Sequence, residues 1–169
     1  MIKLLFLSLV QADFLEKIAA EAVPSAKRAG ISVYFEKPQG IPEVIADQQK
    51  LAIAMANLIE NAVRYNIKNG QILIRAEKLP NEPFVQVSVK DTGIGMPKED
   101  LGKLFSKFFR AEGGIKAQAD GSGLGLYITR NIIQAHGGRI WVESEPERGT
   151  TFYFVLATDP SRVPRRETP

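Results

Sequence analysis

The 169-residue sequence contains no cysteine. That excludes a disulfide framework and any thiolate metal site, and it suits a reducing compartment. Charge of one sign is also lacking: 22 Lys and Arg against 19 Asp and Glu leave a net +3. The basic residues are scattered, and the one cluster, Arg162, Arg165 and Arg166, has no aromatic residues between its members. No nucleic-acid partner is expected from such a footprint. The apolar run Leu4 to Val10 is far too short to span a bilayer; no direct membrane contact is expected, and the expected location is cytoplasmic, whether or not a longer parent protein is tethered to a membrane. Behind Lys3, that run also has the outline of a short signal peptide, but nothing downstream looks secreted, and it reads instead as a buried first strand. There is no internal repeat. Histidine is nearly absent: His136, in Gln134-Ala135-His136-Gly137-Gly138, stands alone.

What is present is ordinary for one soluble domain, with 44% hydrophobic and 24% charged residues. Phe14 to about Ala29 has the spacing of an amphipathic helix, with Asp13 as its expected N-cap, Pro24 expected to kink or interrupt it and Gly30 as its stop. A strand is predicted at Ile31–Phe35 and a loop at Lys37–Pro42. A second helix, capped by Asp47, runs to about Tyr65. Two strands, Gly70–Lys78 and Phe84–Lys90, follow around a turn. Asp100–Phe109 reads as a short helix, Ala111–Gly123 as a mobile loop and Leu124–Ala135 as a third long helix. Arg139–Glu143 and Thr150–Ala157 alternate as strands, and Thr158–Pro169, with three prolines and three arginines, is expected to fray. Helices and strands mix without regular βαβ alternation, which argues for an α+β fold.

Three stretches carry chemistry. Asp91-Thr92-Gly93-Ile94-Gly95-Met96-Pro97 puts a carboxylate and two glycines at the end of a strand. Glycine lets a ligand approach the backbone, and an ionised carboxylate accepts from a flat, amine-bearing ligand such as adenine. On the second helix Asn57, Asn61, Arg64 and Lys68 recur at i, i+4, i+7 and i+11, on one side. Leu51, Met55, Leu58, Ile59 and Ala62 take the other. Amide oxygens can ligate a hard cation such as Mg²⁺ and arginine can grip phosphate, although a solvated helix face explains such a stripe equally well. Gly121-Ser122-Gly123-Leu124-Gly125-Leu126 leads into the third helix, where backbone N–H groups favour anions. No Gly-Lys-Ser/Thr follows and no Gly-x-Gly-x-x-Gly occurs after an early strand, so neither a P-loop nor a Rossmann fingerprint is present.

In this order the pieces resemble the ATP-binding catalytic domain of sensor histidine kinases, within the superfamily that includes DNA gyrase B, Hsp90 and the MutL repair proteins. Asn57 to Tyr65 resembles the N box, Asp91 to Met96 the G1 box, Leu104 to Arg110 the F box and Gly121 to Leu126 the G2 box. Thr150, after Gly149, sits where the family places a threonine. The resemblance covers roughly Ile2 to Leu156. It implies a two-layer α/β sandwich over residues 1–157, with a mixed, mostly antiparallel sheet backed by three helices and a flexible ATP lid. It also implies that Asp91 reads the adenine amino group with help from Gly95 and Thr150, and that Asn61 holds Mg²⁺ with Asn57 close by. Arg64 and Tyr65 would line the phosphate and base sides, Arg110 would reach the distal phosphate, and Gly121, Gly123 and Gly125 would let the lid backbone wrap the phosphates. Gly93, Ile94, Met96, Ser122, Leu124 and Leu126 belong to the same boxes. Phe105 and Phe108 fit either the nucleotide site or the packing of a short helix.

The departures shape the expected function. Kinases of this family phosphorylate a histidine on a helical hairpin, whereas His136 stands at a helix end and reads as structural. The acceptor would then lie on a separate dimerisation domain, with a response regulator engaged indirectly and the isolated chain monomeric. Where hydrolysing relatives carry a glutamate base, this chain has Asn57, which cannot take a proton, and Glu60 is turned about 100° from Asn61. Slow ATP hydrolysis is expected, with Asn57, Arg64 and Arg110 positioning the phosphate for transfer. The runner-up is a stand-alone ATP-binding regulatory module of the anti-sigma-factor kind. Glu147-Arg148 replaces an earlier glycine often found before Gly149.

Overall fold

The computed structural model describes residues 7–10, 12–110 and 122–163. Residues 1–6, Gln11, the loop 111–120 expected to act as a lid, Gly121 and residues 164–169 lie outside them. Strands β2 (Ser32–Glu36), β4 (Gln71–Lys78), β5 (Phe84–Asp91), β6 (Ile140–Glu145) and β7 (Gly149–Ala157) form one sheet in the order β2-β4-β5-β7-β6. Only β2 and β4 are parallel; the other pairs are antiparallel. Helices α1 (Ala12–Arg28), α2 (Gln48–Arg64) and α4 (Gly125–Ala135) supply the second layer. The α+β sandwich expected from the sequence is the fold.

Strand parity builds the core. Val85, Val87 and Val89 of β5 are buried, as are Ile72 and Ile74 of β4 and Phe152, Phe154 and Leu156 of β7. The register joins them into rows, with Ile74 opposite Val89 and Val89 opposite Phe152. Against this face α2 packs Leu51, Met55, Leu58, Ile59 and Ala62, and α4 packs Ile132 and Ile133. Each of these Val, Leu, Ile, Met and Phe side chains, withdrawn from water, stabilises the fold by about 1.5–3 kcal/mol. Asp91 shares the parity of the three valines, so β5 delivers a carboxylate to the helix-facing side of the sheet. It is only 4% exposed.

Asp47 caps α2 as expected: its carboxylate accepts from the Lys50 N–H at 3.1 Å. Buried His136 joins the end of α4 to this start, its Nε2 accepting the Asp47 N–H at 2.9 Å. Its Nδ1 lies 2.8 Å from the Ile132 carbonyl, so the ring is neutral with its proton on Nδ1. The structural reading of His136 holds. Gly30 ends α1 in a Schellman turn, with Ile31 N–H bonded to the Ala26 carbonyl and Gly30 N–H to that of Lys27.

Several expectations need correction. Helix α1 begins at Ala12, so Asp13 lies in its first turn rather than capping it. It runs without interruption through Pro24, which is exposed, because buried Leu15, Ile18, Ala19 and Ala26 on both sides of the proline hold the helix down. A short strand, β3 (Val44–Asp47), was not foreseen; it pairs antiparallel with β1 (Leu7–Val10) as a separate two-stranded sheet. The helix expected over Asp100–Phe109 is a single turn, α3 (Lys98–Leu101), followed by successive turns. Gly102 follows it at once, and Phe108 adopts φ +62°, a geometry no helix contains. The described part of the tail is packed: Pro160–Arg162 forms a 3₁₀ turn and Val163 is buried. Lys68 falls beyond the end of α2 and is exposed, so it leaves the polar stripe.

Candidate functional site

Between α2, the segment after β5 and the start of α4 lies a cleft of about 250 Å³. Asp91 and Thr150 are on it, from the adjacent strands β5 and β7, two residues after Val89 and two before Phe152. Asp91 Oδ1 accepts the backbone N–H of Gly93 at 2.8 Å and of Thr150 at 3.2 Å. Among the described residues no fully buried side-chain oxygen lacks a partner. Oδ2, which makes no bond of its own, is therefore the atom that meets the cleft. Burial pushes the Asp91 pKa up from 3.8 to about 6, with the two N–H groups opposing the rise. Near neutrality the floor holds an ionised acceptor.

The glycines beside it also have a role that the sequence does not suggest. The sequence suggests that Gly93 and Gly95 let a ligand approach; here it is protein backbone that approaches. A Cβ on Gly93 would run into the Tyr65 carbonyl, and one on Gly95, at φ +65°, into that of Glu145. Ile94 between them donates its N–H to the Tyr65 carbonyl at 3.0 Å and accepts from the Glu147 N–H at 2.8 Å. The segment is thus clamped between the end of α2 and the β6–β7 turn. That turn places Glu147 at φ +63°, a position that favours glycine, at the point where the sequence departs from the family pattern.

Both asparagines of α2 line the cleft as expected, but their amides are engaged differently. Asn57 Nδ2 donates to the Gly125 carbonyl at 3.1 Å and to Thr129 Oγ1 at 3.2 Å, tying α2 to α4. Both its N–H donors are occupied in holding helices together. Asn61 also lines the cleft, and among the described residues its side chain has no hydrogen-bond partner, which leaves its amide oxygen available to a cation. Among the described residues no group of three or more His, Cys, Asp or Glu could hold a metal ion. A cation here would depend on Asn61 and on oxygens that a ligand brings. Arg64 and Tyr65 close α2 on the cleft wall and Arg110 adds a second guanidinium. Glu60, expected to turn away from Asn61, is also on the wall, and it is exposed.

Ile94, Gly95, Met96, Ser122, Gly123, Gly125 and Leu126 line the cleft as expected. Gly123 meets Phe108 backbone closely, and its carbonyl accepts the Phe108 N–H at 3.1 Å. Three expected residues do not line it: Gly93 is turned to Tyr65, Leu124 is the N-cap of α4, and Phe105 packs edge-on to Phe152 with centroids 6.3 Å apart. Of the two phenylalanines, Phe105 joins the core while Phe108 is 70% exposed. Gly121 lies outside the described residues. Sequence reasoning missed the apolar wall of Pro97, Leu104, Phe109 and Phe152. It also missed Ser144, which is 9% exposed and bonded to Met96, Gly149 and Thr150. The β6–β7 pairing puts Ser144 opposite Thr150, and that register was the available signal.

Residues 46–160 match the profile of the family described as histidine kinase-, DNA gyrase B-, and HSP90-like ATPase. The adaptive-response sensory kinase SasA of a Synechocystis species is 34% identical over 145 residues, which are 86% of this chain and 37% of SasA. The chain thus spans little more than a third of that relative. The nucleotide-free catalytic domain of histidine kinase ThkA superposes with a TM-score of 0.79 at 29% identity, covering 94% of this chain and 99% of that one. Full-length ShkA in complex with AMPPNP gives 0.77 at 29% identity, covering 93% of this chain and 33% of ShkA.

Proposed function

The chain belongs to the histidine kinase-, DNA gyrase B- and HSP90-like ATPase family, and from that premise we propose that it is the ATP-binding catalytic unit of a sensor histidine kinase in two-component signalling. The observation that carries this reading is the Asp91 carboxylate, fixed through one oxygen and open to the cleft through the other. In this reading Asp91 accepts from the adenine amino group while Ile94, Met96, Leu126 and Phe152 cover the base. Arg64 and Arg110 hold phosphate oxygens, a role in which guanidinium forks excel. Asn61 would hold Mg²⁺, which when bound neutralises phosphate charge. The complex of ShkA with AMPPNP supports a nucleotide in this fold.

The reaction assigned to the unit is transfer of the γ-phosphate to a histidine nitrogen on a separate dimerisation domain: the bond from the γ-phosphorus to the bridging oxygen breaks, a P–N bond forms and ADP leaves. Catalysis is by positioning and charge stabilisation. His136 takes no part, because both its ring nitrogens are engaged in the core. A calorimetric titration with AMPPNP, with and without Mg²⁺, on the wild type and on Asp91→Asn tests the nucleotide site. Mg²⁺-assisted binding that collapses in the variant is expected, and no binding by the wild type would overturn the reading.

A further inference from the structure

Asp91, Thr150 and Ser144 lie side by side on β5, β7 and β6, Thr150 being bonded to Asp91 and paired with Ser144. The last of them does not line the cleft. Its hydroxyl has three partners: it accepts the Met96 N–H at 2.9 Å, donates to the Gly149 carbonyl at 2.9 Å, and lies 2.9 Å from Thr150 Oγ1. A serine hydroxyl has one proton and two lone pairs. With the proton on Gly149 and one lone pair on Met96, what remains for Thr150 is the second lone pair. The proton in the Ser144–Thr150 bond is therefore Thr150's own. Thr150 lines the cleft beside Asp91, and with its proton turned to Ser144 its oxygen has only lone pairs to offer a ligand. Ionised Asp91 likewise has only lone pairs.

We propose that Ser144 is a specificity-determining residue: by fixing the direction of the Thr150 hydroxyl it makes the cleft floor a surface of acceptors that takes the 6-amino group of adenine and rejects a 6-oxo purine. This rests on the reading of the cleft as an ATP site and adds how the base is chosen. Adenine brings two N–H bonds at its 6-position, where hypoxanthine brings a carbonyl. A carbonyl set against Asp91 and Thr150 meets lone pairs with lone pairs. Without the Ser144 hydroxyl, the Thr150 proton can turn toward the cleft and donate to that carbonyl. Ser144 touches no ligand, so its effect passes entirely through Thr150.

The test is calorimetric binding of the imido analogues of ATP and ITP, at about pH 8 where Asp91 is ionised. The proteins are the wild type, Ser144→Ala, Thr150→Val and the double variant. The preference for ATP over ITP should fall about three- to tenfold in Ser144→Ala, the worth of one neutral hydrogen bond. In the Thr150→Val background, Ser144→Ala should produce no further change in the ratio. A merely structural Ser144 would weaken both ligands alike and leave the ratio unmoved, which overturns the proposal. If Ser144→Ala does not fold, Ser144→Cys, of similar shape but a weak hydrogen-bonding group, carries the same expectation. A wild type that binds neither nucleotide overturns the ATP reading and this one with it. A wild type that binds ATP, with a ratio indifferent to residue 144, overturns this one alone.

Discussion

Replacing Asp91 by asparagine should improve the fold while it damages the site. Asp91 Oδ1 accepts from the N–H groups of Gly93 and Thr150, and an asparagine carbonyl oxygen in the same place can keep both bonds. What the substitution removes is the charge. In the folded chain burial raises the pKa from 3.8 to about 6, so the proton is held about two decades more tightly than in the unfolded chain. At about 1.36 kcal/mol per decade, keeping this carboxylate ionised near neutrality opposes folding by roughly 3 kcal/mol. The folded value lies above the unfolded one. The favourable contribution of the protonated group is therefore complete below pH 3.8, shrinks as the pH rises from 3.8 to 6, and is absent above that. Asparagine never ionises and escapes this loss, though its weaker acceptor returns about 1 kcal/mol of it.

Urea unfolding at about pH 7.5 should accordingly show Asp91→Asn to be more stable than the wild type by about 1–3 kcal/mol, with the gap closing toward about pH 4. Nucleotide affinity should move the other way. Loss of a hydrogen bond to a charged group removes about 1.5–3 kcal/mol, or about 10- to 150-fold in Kd. Wild-type affinity should itself decline below pH 6 as Asp91 takes up its proton. A variant less stable than the wild type at about pH 7.5, with a parallel pH profile, would refute the reasoning. Asp91 would then be an ordinary structural carboxylate.

The two asparagines of α2 should part company in the same assays. Asn57→Ala breaks two bonds to α4 and should lower the unfolding free energy by about 1–3 kcal/mol, whereas Asn61→Ala should stay within about 0.5 kcal/mol and lose the Mg²⁺ dependence of binding; the reverse pattern would exchange their roles. Burial lowers the His136 pKa below 6.5, so as the pH falls through that value the unfolded chain binds a proton that the folded chain refuses, and stability declines. In the Asp91→Asn background, which removes the opposing slope, His136→Gln should flatten that decline, and ¹⁵N spectra of the ring should show the Nδ1-protonated tautomer persisting below pH 6.5; titration at the ordinary value would refute it. Glu147→Gly should raise stability by about 1 kcal/mol in thermal melts, since it relieves a left-handed residue at φ +63°. A fall would mean that the side chain holds the turn.

How far the molecule is legible in its sequence depends on whether a residue's role is set along its own element or across elements. Asp47 could be read as a cap from its own helix, and the sheet strands could be read from alternation. The five apolar residues opposite the α2 stripe are all buried, as their spacing predicts. Periodicity alone could not tell Asn57 from Asn61, which only the family resemblance separated, because they share one stripe and differ in that Gly125 and Thr129, 68 and 72 residues away, stand beside the first. Ser144, between Glu143 and Glu145, reads as a polar approach to a turn; its burial follows from a register across β7 that no local pattern displays. Strand β3 was hidden for the same reason, since four residues gain their identity from pairing with β1, 37 positions earlier.

The glycines of Asp91–Met96 carry a consequence for binding. Had they served only to admit a ligand, the segment could lie slack until a nucleotide ordered it. Instead Gly93 and Gly95 make room for the carbonyls of Tyr65 and Glu145. Ile94 is bonded to α2 on one side and to the β6–β7 turn on the other. Gly93 and Thr150 then aim their N–H groups at a single oxygen of Asp91. The carboxylate is therefore oriented by protein backbone before any base arrives, and a ligand need not meet the entropy of ordering it. A charge held in this way opposes folding through its burial, and its use to the molecule lies in the cleft that it faces. That combination, a destabilising group fixed by undisplaceable backbone, distinguishes a recognition residue from one that is merely buried.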